Sequence, residues 1–118
     1  MADSSTDGVK ILLHPVSDLG KAKEVYSALL GIEPQADAEY YVGYDVAGQH
    51  VGLVPGGGAG AMRAPVAYWA VDDIEQKLAE LTSAGATVHE PPRGVGNGRL
   101  VATFADPDGN VVGLVQDS

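Results

Sequence analysis

Three histidines, sixteen acids and no cysteine set the chemistry open to this chain. His50 and Asp45 carry the sharpest signal. Ala47-Gly48 between them reads as a two-residue hairpin turn, which pairs Asp45 with His50 and Gly43 with Gly52 across the strands. A carboxylate beside an imidazole favours its charged form and positions it to carry a proton. His50 and Asp45 are therefore the candidate catalytic residues. The competing role is a solvated cross-strand hydrogen bond at a hairpin end, and residue type alone favours that plainer role.

The remaining candidates are weaker. His14 lies three residues from Ile11, so strand alternation turns it to the opposite face, under the helices. His89 sits at a strand end beside Glu90-Pro91-Pro92 and reads as surface. Gly94-Val95-Gly96-Asn97-Gly98, flanked by Arg93 and Arg99, looks like a phosphate cradle but precedes a strand instead of opening a helix. A plain hairpin connection is the expectation, with a lid over an anion as the alternative. Asp72-Asp73 and Asp106 with Asp108 fall at caps and turns. No Gly-Xaa-Ser-Xaa-Gly elbow, P-loop or HExxH is present, and the lack of cysteine removes disulfides, thiolate catalysis and Cys-based zinc sites.

These residues must be positioned by elements, and the chain writes its elements twice. Gly48-Gln49-His50-Val51-Gly52-Leu53-Val54 returns 61 positions later as Gly109-Asn110-Val111-Val112-Gly113-Leu114-Val115, preceded by Asp45 and Asp106 in the same register. Val16-Ser17-Asp18-Leu19 returns 55 positions later as Val71-Asp72-Asp73-Ile74. A self-similar chain is parsed by its repeat first.

In the first copy, residues 9–16 read as a strand. Asp18 caps a helix whose stripe is Ala22, Val25, Tyr26 and Leu29, and Gly31 ends it. A short strand near residues 32–36 precedes strands at 40–46 and 49–54. In the second copy, residues 66–71 form a strand, and Asp73 caps a helix with Gln76 in capping-box position and Ile74, Leu78 and Leu81 as its stripe. Strands follow at 86–90, 100–105 and 110–116, with Asp106-Pro107-Asp108-Gly109 as the last turn. The expected parts are a polar N-terminal segment (1–8), a first module (9–54), a Gly-rich linker (55–65) and a second module (66–118), one structural domain in all.

A net charge of −9 argues against nucleic acid and anionic membrane as partners. No signal-like segment or bilayer-length apolar run is seen, so a cytoplasmic location is expected.

A βαβββ repeat closing on Phe104-Ala105-Asp106-Pro107-Asp108-Gly109-Asn110 resembles the vicinal oxygen chelate superfamily, which holds glyoxalases, ring-cleaving dioxygenases and bleomycin-resistance proteins. Pro15 to Leu19 with Tyr26 and Leu30-Gly31, and Val71 to Ile74 with Gly85, carry the rest of the resemblance. It implies an α+β fold of two tandem βαβββ modules forming a curved mixed sheet with helices on its outer face, and a homodimer. In metal-using members, four inward stations on the first and last strands of each half hold a divalent ion. Through the motifs, these stations fall on Ile11, Gly52, Val66 and Gly113, again 55 and 61 positions apart. None of the four carries a donor. No metal and no cofactor are expected.

The ligand-binding residues expected on the inner face are Tyr41, Asp45, His50, Tyr68, Phe104 and Val111, with Gly52 and Gly113 leaving its centre roomy; Trp69 is expected in the core. Phe104 joins this face if the second hairpin keeps the register of the first. The leading expectation is metal-independent binding of a small, partly apolar or aromatic molecule in a resistance or sequestration role. One alternative is a lyase, isomerase or dioxygenase-like enzyme using His50 and Asp45, or one with a relocated metal. The other is a dimeric protein with a vestigial cavity.

Overall fold

The computed structural model describes residues 5–56 and 64–117. Most of the expected linker, and the first half of the polar N-terminal segment, lie outside the described residues. The chain divides into two compact units, Ile11–Val66 and Met1–Lys10 with Ala67–Ser118. The first module runs β1 (Thr6–Val16), α1 (Leu19–Leu30), β2 (Ala36–Ala38), β3 (Tyr41–Val46) and β4 (Gln49–Pro55). The second runs β5 (Val66–Val71), α2 (Ile74–Ser83), β6 (Thr87–Gly94), β7 (Leu100–Ala105) and β8 (Val111–Gln116). Pairing is the same in both: β1 lies parallel to β4, which is antiparallel to β3, which is antiparallel to β2; likewise β5, β8, β7 and β6. This is the α+β repeat expected from the sequence.

The caps also follow the sequence. Asp18 accepts from the Lys21 amide at 3.0 Å and Asp73 from the Gln76 amide at 3.1 Å. Each satisfies a donor that the first helical turn leaves unpaired. Gly31, with φ of 73°, ends α1 in the left-handed region that glycine enters without strain. In the second module, the Gln116 side chain also accepts from the Ile74 amide at 2.7 Å, tying α2 to β8.

The two helices are seated differently. Ile74 and Leu78 of α2 are buried against Val71, Ala102 and Leu114. Each such side chain stabilises the fold by about 1.5–3 kcal/mol. Helix α1 buries no residue fully. Leu19, Ala22, Tyr26 and Leu30 pack on a cluster of Val42, Tyr44 and Leu53, while Val25 and Leu29 of the expected stripe face solvent. The stripe is rotated because Tyr44, wholly buried beneath the helix, draws the Lys23–Ser27 side down. Its hydroxyl donates to the Lys23 carbonyl at 3.1 Å and lies 2.8 Å from Ser27 Oγ.

Two further expectations need correction. Trp69 is 39% exposed and not a core residue, although its pairing partner Leu114 is buried on the helix side. Phe104 packs against the α2 cluster, not on the inner face. The cause is a register change. The first hairpin turns in two residues, with Val46 paired to Gln49, whereas the second takes residues 106–110, with Ala105 paired to Val111. Gly43 therefore stands opposite Gly52, but Thr103 stands opposite Gly113, and Phe104 moves to the other face.

Candidate functional site

In each half-sheet one face is covered by its helix; the chemistry-bearing residues gather on the other. In the first module that face carries Ile11, Leu13, Tyr41, Gly43, His50 and Gly52. The expected pairs, Asp45 with His50 and Gly43 with Gly52, are present in β3 and β4. Ala47 and Gly48, with φ of 51° and 82°, form the primed turn whose twist suits a two-residue hairpin.

His50 Nδ1 lies 2.8 Å from Asp45 Oδ1. The carboxylate only accepts, so Nδ1 carries the hydrogen. The other ring nitrogen, Nε2, meets the Tyr41 hydroxyl. The two rings stack, with planes 8° apart and centroids 5.9 Å apart. Burial, and then the nearby Asp45 charge, push Tyr41 above the ordinary phenol pKa, so it keeps its proton at neutral pH. Asp45 is 68% exposed by side chain, so the chain of groups runs from a half-buried phenol out to solvent. Asp45 and His50 are thus paired as expected, and Tyr41 joins them through a contact the sequence did not indicate.

Two glycines make this arrangement possible. Neither Gly43 nor Gly52 has a left-handed φ; what each supplies is space. A Cβ on Gly43 would stand 2.8 Å from both His50 Cε1 and Tyr41 Cε2. On Gly52 it would stand 2.5 Å from the Tyr41 oxygen and 2.7 Å from Leu13 Cδ2.

In the second module Tyr68 lies over Gly113, where a Cβ would run into its ring. Tyr68 is buried, which raises its phenol pKa; Glu90 adds to the rise and Arg93 opposes it. Thr103, 3% exposed, stands on the same face. Its hydroxyl lies 3.0 Å from His89 Nδ1 and donates to Glu90 at 3.2 Å. Neighbouring strand residues normally point to opposite faces. Here a register shift between Val88 and Glu90 leaves His89 as an extra residue and lets both side chains reach one hydroxyl.

His89 is exposed, as expected, but not isolated. Thr103 and this bulge were missed from sequence. Pro91-Pro92, tolerated at bulges and edges, was the available signal. Val111, half-buried, shares the face of Gly113, whereas Phe104 does not. His14 sits on the helix side, its ring 5.4 Å from that of Tyr26, and burial lowers its pKa. The Gly94–Gly98 segment closes as a tight β6–β7 connection through hydrogen bonds between Val95 and Arg99 and between Arg99 and Gly96.

The four positions that the resemblance assigns to a metal do not fit a divalent ion. Ile11 and Val66 are buried hydrocarbon, and the space above Gly52 and Gly113 holds Tyr41 and Tyr68. The expected roominess above these glycines is therefore taken up by rings. Among the described residues, no three His, Cys, Asp or Glu side chains converge elsewhere.

Among described residues no helix is long and apolar enough to cross a membrane. No curated protein matches the chain in sequence. Solved structures do match in fold. Methylmalonyl-CoA epimerase from Mycobacterium tuberculosis aligns over 100% of this chain and 93% of its own, with TM-score 0.72 and 19% identity. The Mn(II)-bound glyoxalase from Novosphingobium aromaticivorans aligns over 97% of this chain and 40% of its own, with TM-score 0.74 and 21% identity. A superfamily member from Vibrio splendidus 12B01 aligns over 97% and 100%, with TM-score 0.69 and 19% identity. With residues 9–114 matched by the family model, the chain belongs to the glyoxalase/bleomycin resistance protein/dioxygenase superfamily.

Proposed function

We propose that the protein binds a small, partly aromatic molecule without a metal, on the helix-free face of its first module. The observation behind this reading is the near-parallel Tyr41–His50 ring pair, whose atoms fill the space beside Gly43 and Gly52. Glycine inside a strand weakens it by roughly 0.5–1 kcal/mol relative to alanine. Neither position needs glycine for its backbone, so that cost goes to seating the rings. Flat rings beside Leu13, with one polar end at Asp45, suit a ligand that is apolar over most of its surface and anchored at one point. Absence of donors at Ile11, Gly52, Val66 and Gly113 supports the metal-free part. Sequestration, as in the bleomycin-resistance members, is the role that fits.

Calorimetry against a panel of small aromatic compounds, with and without EDTA, tests this. Saturable binding unaffected by chelator is expected and should weaken about tenfold or more in Gly52→Val, where the added carbons displace Tyr41. Binding that requires added Mn(II), Ni(II) or Zn(II) would replace this reading with a metal-dependent one.

A second reading is favoured by the hydrogen-bonded Asp45–His50–Tyr41 series: a lyase or isomerase that moves a proton through His50. An epimerase of the same fold lends it support. His50→Ala separates the two, since an enzyme loses turnover whereas a binder loses affinity alone.

A further inference from the structure

We propose that the ligand of the first module carries an acidic hydroxyl (a phenol or an enol) and is held as its anion by Tyr41, its proton passing to His50. This rests on the binding reading above and specifies its ligand class.

The direction of the hydrogen bonds carries the inference. Asp45 can only accept, so His50 Nδ1–H donates to it. In the neutral imidazole Nε2 is then an acceptor, and the Tyr41 hydroxyl donates to it. That leaves a lone pair on the Tyr41 oxygen as the free end. A free acceptor selects a ligand that donates. An incoming O–H donates to Tyr41, Tyr41 to His50, and His50 to Asp45, so every bond is polarised away from the ligand. When the proton moves, the ligand O–H bond breaks as a new bond forms on the Tyr41 oxygen. The original Tyr41 hydrogen passes to His50 Nε2. The products are a ligand anion accepting from Tyr41 and an imidazolium facing the Asp45 carboxylate; no charge is created overall. Hydrogen bonds to charged groups are the stronger kind, so affinity should rise with ligand acidity.

Tyr41 is half-buried on the helix-free face, so part of its side chain is open to a ligand. The Tyr41 oxygen stands above Gly52, on the helix-free face, and glycine leaves no side chain beneath it. The far end of the series is exposed at Asp45, whose carboxylate faces the imidazolium.

The test compares 4-nitrophenol with 4-nitroanisole, which has the same ring but no O–H. It uses the whole protein, at a pH where free nitrophenol is mostly protonated. The wild type should bind the phenol at least about tenfold more tightly than the ether, and the bound dye should show the phenolate absorption band. Tyr41→Phe should bring the two to parity and abolish the band. Asp45→Asn, at an exposed position where folding is not at stake, keeps an acceptor for Nδ1–H but removes the charge. It should bind the phenol in its neutral form.

Equal affinity of the wild type for phenol and ether would overturn this inference and leave the binding reading standing. Failure to bind either would end both. A phenolate band that persists in Tyr41→Phe would likewise refute the role of Tyr41.

Discussion

The two modules share their order of elements, strand pairing, cap aspartates and station glycines, yet hold different chemistry on the same face. Over Gly52 lie Leu13 and Tyr41; over Gly113 lies Tyr68. Leu13 and Tyr68 are repeat equivalents, 55 positions apart, each paired with its station glycine. Tyr41 is the addition. In the first module the polar groups come from the ends of a tight hairpin; in the second they come from a bulged outer strand onto Thr103. Repetition thus preserves the strands that carry register, while the side-chain hydrogen bonds on this face differ at the turn and the bulge. The seating of the helices differs in the same way. Helix α2 buries Ile74 and Leu78, whereas α1 buries nothing fully and leans on the Tyr44 hydroxyl.

The largest expected effect separates the helices. Ile74 and Leu19 occupy the same place, immediately after the cap aspartate. Ile74 is wholly buried. Leu19 lines an open groove of about 430 Å³ with Gly20, Lys23, Asp37, Ala38, Glu39 and Val42. Ile74→Ala should cost about 2–5 kcal/mol in urea unfolding, through lost burial and a poorly collapsing cavity. Leu19→Ala should cost about 1 kcal/mol, because solvent already reaches part of the side chain. Equal losses would mean that the two helices are anchored alike.

A smaller contrast concerns the station glycines. An alanine at Gly113 meets the Tyr68 ring near its base, at Cγ and Cδ2, where no torsion clears it without moving a buried residue. The expected cost is about 1–3 kcal/mol. An alanine at Gly52 meets only side-chain ends, the Tyr41 oxygen and a Leu13 methyl, which can swing aside. Its melting temperature should fall less, but the Tyr41–His50 contact should break, visible as a change in the His50 imidazole NMR signals. Should Gly52→Ala prove the more damaging to stability, the ring over Gly52 is structural and the functional reading of Tyr41 loses its footing.

What was legible in the sequence follows the same division. Caps at Asp18 and Asp73, the Ala47-Gly48 turn and the Asp45–His50 pairing are local chemistry, encoded within a few residues, and each appears in place. Phe104 was misplaced because a five-residue connection replaces a two-residue turn, a one-residue change that flips every side chain of the strand. The α1 stripe was misjudged at Val25 and Leu29 because helical periodicity marks a face without saying what lies below it, here the hydroxyl of Tyr44. The rings above Gly52 and Gly113 were missed for a related reason. A glycine signals room, but the sequence does not say which neighbour fills it.

The smallest expected effect again distinguishes two regions, now by charge. In the unit formed by Met1–Lys10 and Ala67–Ser118, Asp117 faces two cations, Arg99 Nε and Lys10 Nζ, each at 2.6 Å. Arg99 foremost, then Lys10, holds its carboxyl down at about 2. In the unit Ile11–Val66, Lys23 and Asp37 form an exposed pair at 3.0 Å. A carboxylate whose pKa is depressed by folding contributes stability above its unfolded pKa and loses it as protonation sets in. The contribution of Asp117 should therefore be complete above about pH 4 and vanish toward about pH 2. Its side chain is 38% exposed, so solvent screening limits the gain to about 1 kcal/mol. Asp117→Asn should lower stability by that amount near neutrality, converge with the wild type as pH approaches about 2, and lose its effect in high salt. Asp37→Asn, which removes one exposed partner from one lysine, should cost less. If both variants lost equally at every pH, the paired cations on Asp117 would add nothing beyond an ordinary surface contact.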